Sequence, residues 1–368
     1  MPSLPTPKNR SAVLGIELDG DGAHPAAWRF AAHEPNALLT GSRIRETVQA
    51  ADVAGFHLAT FHDSRTMDTE AAGIAGRIDA VQRAAFASPV TRSIGLVPEA
   101  GVVYTEPFHV ATQLASLDYS SRGRAGWLVS AENTPQEARS VGRDVLPAGE
   151  AGAEAADVVE SARRLWDSWE DDAVIRDEAT GRFLDAGKLH YADFEGSQFS
   201  VKGPSIIPRP FQGQLPVFAP AALLPTVEAD VALVTAATPE ELAPAAEAAR
   251  NAGAPRTLLE LDVVLDARGQ RAADRLAELE AHEPWQGGAR YVGDAAGLVE
   301  LLAELFQQGD GVRISPAVLD TDLPELAALV LPELRRSGLL SSPLPGSTLR
   351  ESFGLPRPAN RYAAAAAL

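Results

Sequence analysis

The chain has 368 residues, of which 45% are hydrophobic, and it carries a formal net charge of −18 and no cysteine. The absence of cysteine excludes disulfide bonds, thiolate catalysis and zinc–sulfur sites. The acidic balance argues against nucleic acid or an anionic membrane as the main partner. No apolar stretch approaches the roughly 20 residues that a membrane-spanning helix needs, and the N-terminus lacks the hydrophobic run of a secretory signal. A cytoplasmic protein is therefore expected.

Apolar runs predict a regular alternation of strands and helices along the chain. The predicted strands are 11–18, 58–61, 94–97, 125–129, 216–219, 231–234, 258–265 and 311–314. Helical periodicity lies between most of them, at 41–54, 75–87, 107–121, 155–169, 239–252 and 322–335. This pattern predicts an α/β protein with a (β/α)8 TIM barrel. A doubly wound open sheet is the alternative.

The chain is longer than the about 250 residues typical of such a barrel, so added segments are expected. Residues 170–214 are charged and then rich in glycine and proline. We interpret them as an insertion in a βα connection on the catalytic face, with a hairpin at 193–201. The turn-rich tail 337–368 is expected to form a docked C-terminal arm. The whole chain, 1–368, is interpreted as a single domain.

Common motifs of nucleotide, acyl-transfer and metal sites are absent from the sequence. No P-loop and no G-x-G-x-x-G after a strand occur, and there is no G-x-S-x-G elbow. The seven histidines show no H-E-x-x-H spacing, so no metal site is expected. The run Asp-Gly-Asp-Gly at 19–22 lacks the remaining ligands of a calcium loop and is interpreted as a polar loop.

Two polar residues follow predicted strands at the end of the barrel where ligands bind. His62 comes directly after the second strand and is a candidate for proton exchange with a bound ring. Glu99 follows the third strand in the same ring of positions. The structural alternatives are a polar pair capping the next helix for His62 and a rim charge for Glu99. Both residues are our catalytic candidates.

Several segments carry a resemblance to a known family. They are IGLVPEAGVVYTEPFHVATQLASLDYSSRGRAGW at 94–127, HPAAWR at 24–29, RLWDSWEDDA at 164–173 and LPRPANRY at 355–362. The chain resembles the bacterial luciferase-like flavin monooxygenases, in particular the branch with nitrilotriacetate and dibenzothiophene-sulfone monooxygenases. Trp166 and Trp169 of the third segment share a helical face and are expected to be buried.

The resemblance implies a fold, a cofactor and partners. It implies a (β/α)8 barrel that takes reduced FMN from a separate flavin reductase and uses O2 to oxygenate a small organic substrate. It also implies a homodimer or homotetramer. By position, the cofactor-binding candidates are Asp63, Gly101, Leu128 and Ser130. Asp63 matches the family, whereas Leu128 stands where the family has asparagine and Glu99 stands where it favours small and hydroxyl residues.

The largest departure follows the fifth strand, after Ala219. The family has a glycine- and serine-containing loop there that holds the FMN phosphate, but here Pro220 removes an amide donor and no glycine follows at once. The sequence therefore leaves two functions open. One is a reduced-flavin monooxygenase with an atypical phosphate site. The other is a divergent homologue that binds no flavin and acts as a binding or partner subunit. A different cofactor such as a deazaflavin, or cofactor-free catalysis by His62 and Glu99, is a third possibility.

Overall fold

The computed structural model describes residues 12–66 and 76–365. Within them, parallel strands form β1 (Val13–Glu17), β2 (Leu58–Phe61), β3 (Gly95–Gly101), β4 (Trp127–Ser130), β5 (Val217–Pro220), β6 (Val231–Val234), β7 (Arg256–Leu265) and β8 (Gly311–Pro316). Pairing of β8 with β1 closes the sheet into a barrel. The predicted TIM barrel is confirmed. The open-sheet alternative is wrong, because the closed sheet leaves no edge between its first and last strands.

Most helices cover the outside of the barrel, whereas the short helix Leu349–Ser352 closes its amino end. The helices are α1 (Gly41–Ala54), α2 (Ala80–Ala87), α3 (Pro107–Ser121), α4 (Pro135–Ser140), α5 (Glu150–Asp167), α6 (Leu242–Asn251), α7 (Ala272–Glu280), α8 (Ala295–Gln308), α9 (Leu319–Glu325), α10 (Leu331–Arg336), α11 (Leu349–Ser352) and α12 (Arg361–Ala365). A π-helical turn, Leu326–Val330, joins α9 to α10. The first residues of the predicted strand 11–18 and helix 75–87 lie outside the described residues.

The stretch between β7 and β8 contains more structure than the sequence pattern predicts. Both α7 and α8 lie there, and the strand Arg290–Gly293 pairs with the carboxyl half of β7 outside the closed barrel. The predicted helix 322–335 is instead α9, the π turn and α10 in succession. Pro324 lies inside α9, and a proline removes an amide donor from a helix.

Apolar side chains fill the barrel interior up to its middle. Val97, Leu128 and Phe218 belong to this interior cluster, and Leu349 and Phe353 of the C-terminal segment join it from below. The latter two are fully buried, with exposed fractions of 1% and 0%. Glycines at the amino ends of β3 and β4 leave room for the Leu349 side chain. A Cβ on Gly95 or Gly126 would come within 3.0 Å of the Leu349 side chain. The C-terminal segment therefore forms the floor of the barrel.

The segment between α5 and β5 contains two antiparallel hairpins. One joins Val174–Asp177 to Arg182–Leu184, and the other joins Phe194–Glu195 to Ser200–Val201, which confirms the hairpin predicted at 193–201. The expectation that this segment lies in a βα connection on the catalytic face is wrong. It follows helix α5 and precedes strand β5, so it is an αβ connection, and such connections lie at the amino ends of barrel strands.

The tryptophans of α5 and its C-terminal end are buried, as the sequence predicts. Trp166 is 1% exposed and its indole N–H donates to the carbonyl of Ala111 at 3.0 Å. Trp169 is 9% exposed and donates to the carbonyl of Ser205 at 2.7 Å. Trp166 also packs edge-on against Trp127, with ring centroids 6.2 Å apart. These contacts bind α5 to both α3 and β4.

Candidate active site at the carboxyl end of the barrel

Above the apolar interior, the inward positions of the strands become charged. Arg313 of β8 forms ion pairs with Glu17 of β1 and Glu260 of β7, and it donates to the hydroxyl of Thr60 at 3.0 Å. The Thr60 hydroxyl donates to Glu17 at 2.6 Å. Burial raises the pKa of Glu17, although the guanidinium of Arg313 opposes this. The layer separates the apolar barrel core from the mouth of the barrel.

His62 and Glu99 meet at this mouth. Nδ1 of His62 lies 2.6 Å from Oε2 of Glu99, and the main-chain N–H of His62 donates to Glu17 at 3.1 Å. The His62 side chain is 43% exposed, whereas that of Glu99 is only 10% exposed. The rim-charge alternative for Glu99 is therefore wrong, because the carboxyl group lies inside the mouth and has a partner.

Charges around His62 favour its protonated form. Burial alone would lower its pKa, but the hydrogen bond and charge of Glu99, with smaller effects of Asp19 and Glu17, raise the pKa of His62 to about 9. At neutral pH the imidazole of His62 is therefore protonated. Nδ1–H is engaged by Glu99, so the second proton, on Nε2, is the one available to a ligand.

Asp63 has a structural task at the start of the following helix. Its carboxylate accepts the main-chain N–H groups of Ser64 at 2.8 Å and Ala80 at 2.9 Å. Burial raises its pKa despite these hydrogen bonds. The sequence analysis considered that the polar residues after β2 cap the next helix. Asp63 does accept main-chain N–H groups there, whereas the side chain of His62 contacts Glu99.

Two cavities of about 310 Å³ each open at the mouth, and Glu99 lines both. His62, Leu128 and Arg313 line the first, which we call the central cavity. The second, which we call the lateral cavity, is bordered by Asp63, Gly101 and Ser130. All six site residues predicted from the sequence thus lie around these two adjoining spaces. Volumes of this size are at the lower end of small-molecule sites.

The lateral cavity contains two carboxyl groups that the sequence analysis did not select. Glu132 follows β4, and Glu137 lies in the first turn of α4, where its N–H donates to the capping hydroxyl of Thr134 at 3.2 Å. Glu137 is 4% exposed, and its Oε2 has no hydrogen-bond partner among the described residues. Partial burial, the charges of Glu137 and Glu99, and a hydrogen bond between the Glu132 and Glu137 carboxyl groups raise the pKa of Glu132. The sequence pattern Thr-Pro-x-Glu, shortly after strand β4, marks a helix start and could have drawn attention to Glu137.

The site can be tested for its fit to FMN, the cofactor that the resemblance implies. Leu128 and Ala23 give the otherwise polar central cavity two apolar contacts for a flavin ring, and His62 offsets the charge of Glu99 that would repel an anionic ring. The turn after β5 does not fit a phosphate. Pro220 has no N–H, and only the short 3₁₀ turn Ala221–Leu223 follows, without glycine.

The chain matches known proteins over most of its length. The family model described as "Luciferase-like monooxygenase" covers residues 25–322. The chain is 32% identical to one of the subunits of pristinamycin IIA synthase of Streptomyces pristinaespiralis, over 87% of this chain and 91% of that one. It is 35% identical to N-acetyl-S-(2-succino)cysteine monooxygenase of Bacillus subtilis over 57% of this chain, a match that spans about half (48%) of the relative.

Structural comparison gives the same fold. The crystal structure of long-chain alkane monooxygenase superposes with a TM-score of 0.85 at 18% identity, over 97% of this chain and 99% of that one. In the part of the chain that the structure describes, none of the helices has the length and apolar character required to cross a membrane.

Proposed function

Because the chain belongs to the luciferase-like monooxygenase family, we propose that it is the oxygenase component of a two-component system. In this proposal it takes reduced FMN from a separate flavin reductase and uses O2 to oxygenate a small organic substrate in the cytoplasm, as a homodimer or homotetramer. The family membership predicted from the sequence is confirmed. The observation that carries the proposed activity is the His62–Glu99 pair beside the central cavity, at the end of the barrel where ligands bind.

The residues of the mouth would divide the work between them. Leu128 would border the ring system in the central cavity, and Gly101, Ser130 and Asp63 would border the adjoining lateral cavity. When bound, the reduced flavin supplies the electrons that activate O2 for transfer of one oxygen atom to the substrate. His62 holds a proton on Nε2 toward the central cavity, where it stabilises negative charge or donates that proton. Glu99 holds the imidazole in place through Nδ1.

Anaerobic titration with reduced FMN and reduced riboflavin tests this proposal. Two or three charge-assisted hydrogen bonds, at roughly 1.5–3 kcal/mol each, would favour FMN over riboflavin by more than a hundredfold. Without a phosphate cradle after β5, we expect both flavins to bind with dissociation constants within about threefold of each other at 150 mM salt. Loss of the ring contacts in Leu128→Asp should weaken both equally. Failure of both flavins to bind at millimolar concentration would refute the proposed function.

A second function, a partner subunit that binds no flavin, is favoured by two observations. The turn after β5 opens on Pro220, and one relative of similar length is described as a subunit of a synthase. The same titration distinguishes the two functions, because binding of either flavin in the barrel would rule out a partner subunit that binds no flavin. An absorption spectrum of the protein with added flavin provides an independent readout.

A further inference from the structure

The lateral cavity has a strongly acidic lining. Five carboxyl groups border it: Asp63, Asp79, Glu99, Glu132 and Glu137. Three of them have partners that explain them. Asp63 and Asp79 accept main-chain N–H groups at the start of α2, and Glu99 is paired with His62. Glu132 and Glu137 form no ion pair with any described residue.

The basic residues at the same cavity do not neutralise these two groups. Arg65 donates to the carbonyls of Gly101 and Val103 and to the hydroxyl of Thr105, in the connection between β3 and α3. Arg77 donates to the main-chain carbonyl of His62 at 3.4 Å and to the Asp19 carboxylate at 3.5 Å. Their hydrogen bonds and ion pairs are thus made elsewhere. His109, on the first turn of α3, borders the cavity but forms no ion pair with either glutamate among the described residues.

Glu137 is the observation that points to a ligand. It is almost completely buried, yet Oε2 has no donor among the described residues, and the capped first turn of α4 fixes its main chain. Burying a carboxyl group without a donor is costly unless something supplies the missing contact. A bare metal ion is a poor match, because no group of three metal-ligating side chains exists among the described residues.

We infer that the lateral cavity binds the ammonium group of a cationic organic substrate, held by Glu132 and Glu137. An ammonium group offers the donor that Oε2 of Glu137 lacks, and its positive charge would offset the repulsion between the two neighbouring carboxyl groups. Val81, Ala100 and Val110 line the same cavity for an attached hydrocarbon. Since Glu99 borders both cavities, the bound cation lies next to the central cavity. The role of this cation as the oxygenated substrate rests on the proposed function, but its binding does not.

Calorimetric titration of the flavin-free chain with benzylammonium and with benzyl alcohol, its neutral counterpart, tests the inference. We expect the ammonium compound to bind at least tenfold more tightly than the alcohol. Glu137→Gln and Glu132→Gln should each weaken ammonium binding at least tenfold, whereas Glu150→Gln, at an exposed position of α5, should leave it unchanged. Glu132 lies at the exposed rim, so its variant tests the inference even if Glu137→Gln does not fold.

Equal affinity for the alcohol, absence of ammonium binding, or displacement of the ammonium compound by Mg²⁺ alone would overturn the inference. Unchanged binding by Glu132→Gln would also overturn it. The experiment contains no flavin, so it is separable from the flavin titration. A chain that binds benzylammonium but no flavin keeps the inference and removes the proposed function, and the reverse result removes only the inference.

Discussion

At the scale of single residues, His62 and Glu99 set the charge of the barrel mouth. The imidazole is half-exposed, but the carboxylate beside it is buried and holds the Nδ1 proton at 2.6 Å. A buried Glu99 without a cation would repel an anionic ring, whereas the paired group does not. Glu99 departs from the family pattern, but its pairing with His62 makes the site compatible with a reduced flavin.

The pairing predicts a pH dependence that can be measured by NMR. His62 should titrate near pH 9 in the wild type, and in Glu99→Gln its pKa should fall toward the ordinary value of about 6.5, because the favourable charge is gone. Because folding raises the pKa of His62, protonation of His62 stabilises the folded state. This contribution to the free energy of unfolding is complete below about pH 6.5 and is lost as the pH rises toward 9.

Resonances of His62 are assigned by comparison with His62→Gln, and Glu46→Gln, an exposed carboxylate on α1, serves as the control. A wild-type pKa near 6.5, or one that Glu99→Gln leaves in place, would contradict the pairing. The stability difference between pH 6.5 and pH 9 should also shrink in Glu99→Gln.

Sequence reasoning identifies the positions of these residues better than their contacts. His62 and Glu99 are found because each follows a predicted strand, which fixes their place at the mouth. Their contact depends on side-chain directions in neighbouring strands, which no local pattern encodes. Glu132 and Glu137 are missed because the Thr-Pro-x-Glu pattern indicates only a helix start, whereas the missing partner of Glu137 is a property of the folded molecule.

At the scale of elements, the C-terminal segment acts as the floor of the barrel. Helix α11 begins with a capping box, in which the Thr348 hydroxyl accepts the N–H of Glu351 and the Glu351 carboxylate accepts the N–H of Thr348. The cap fixes Leu349 beneath β3 and β4, where its main-chain N–H donates to Gly123 at 2.9 Å. The segment completes the core instead of resting on its outside.

Shortening a buried side chain of this floor should destabilise the whole barrel. Leu349→Ala is expected to lower the free energy of unfolding by about 2–5 kcal/mol, because it removes a fully buried side chain and leaves a cavity. Leu344→Ala, five residues earlier and 69% exposed, should change it by less than about 0.5 kcal/mol. Chemical denaturation of both variants provides the comparison. Similar small losses in both would show that the segment does not support the core.

Sequence patterns locate the barrel strands well and the elements between β7 and β8 poorly. Strands β2 and β6 end where predicted, because each is a short apolar run bounded by polar or turn residues. The strand Arg290–Gly293 is short, and its pairing with β7 rather than its composition makes it a strand. Helix α8 could have been predicted from the sequence. Asp294 stands at its N-cap, where it accepts the N–H of Gly297, and Leu298, Leu302 and Leu305 then recur at helical spacing.

At the scale of the whole molecule, net charge and site charge have the same sign. The chain carries −18, and the lateral cavity adds carboxyl groups that no described cation neutralises. Such a field repels anionic ligands over distances set by the salt concentration, about 30 Å at 0.01 M and 3 Å at 1 M. A cofactor with a dianionic phosphate approaches this mouth against the field, unless a local cradle compensates for it.

Flavin affinity at different salt concentrations tests this balance. At 10 mM salt we expect FMN to bind more weakly than riboflavin, and at 1 M salt we expect equal affinities, because screening removes the repulsion but leaves the ring contacts unchanged. Fluorescence titration with oxidised flavins across this range gives the ratio directly, and riboflavin, which has no phosphate, is the internal control. FMN binding more than tenfold tighter than riboflavin at every salt concentration would mean that main-chain or basic donors hold the phosphate. In that case the phosphate would bind at a part of the molecule other than the turn after Ala219.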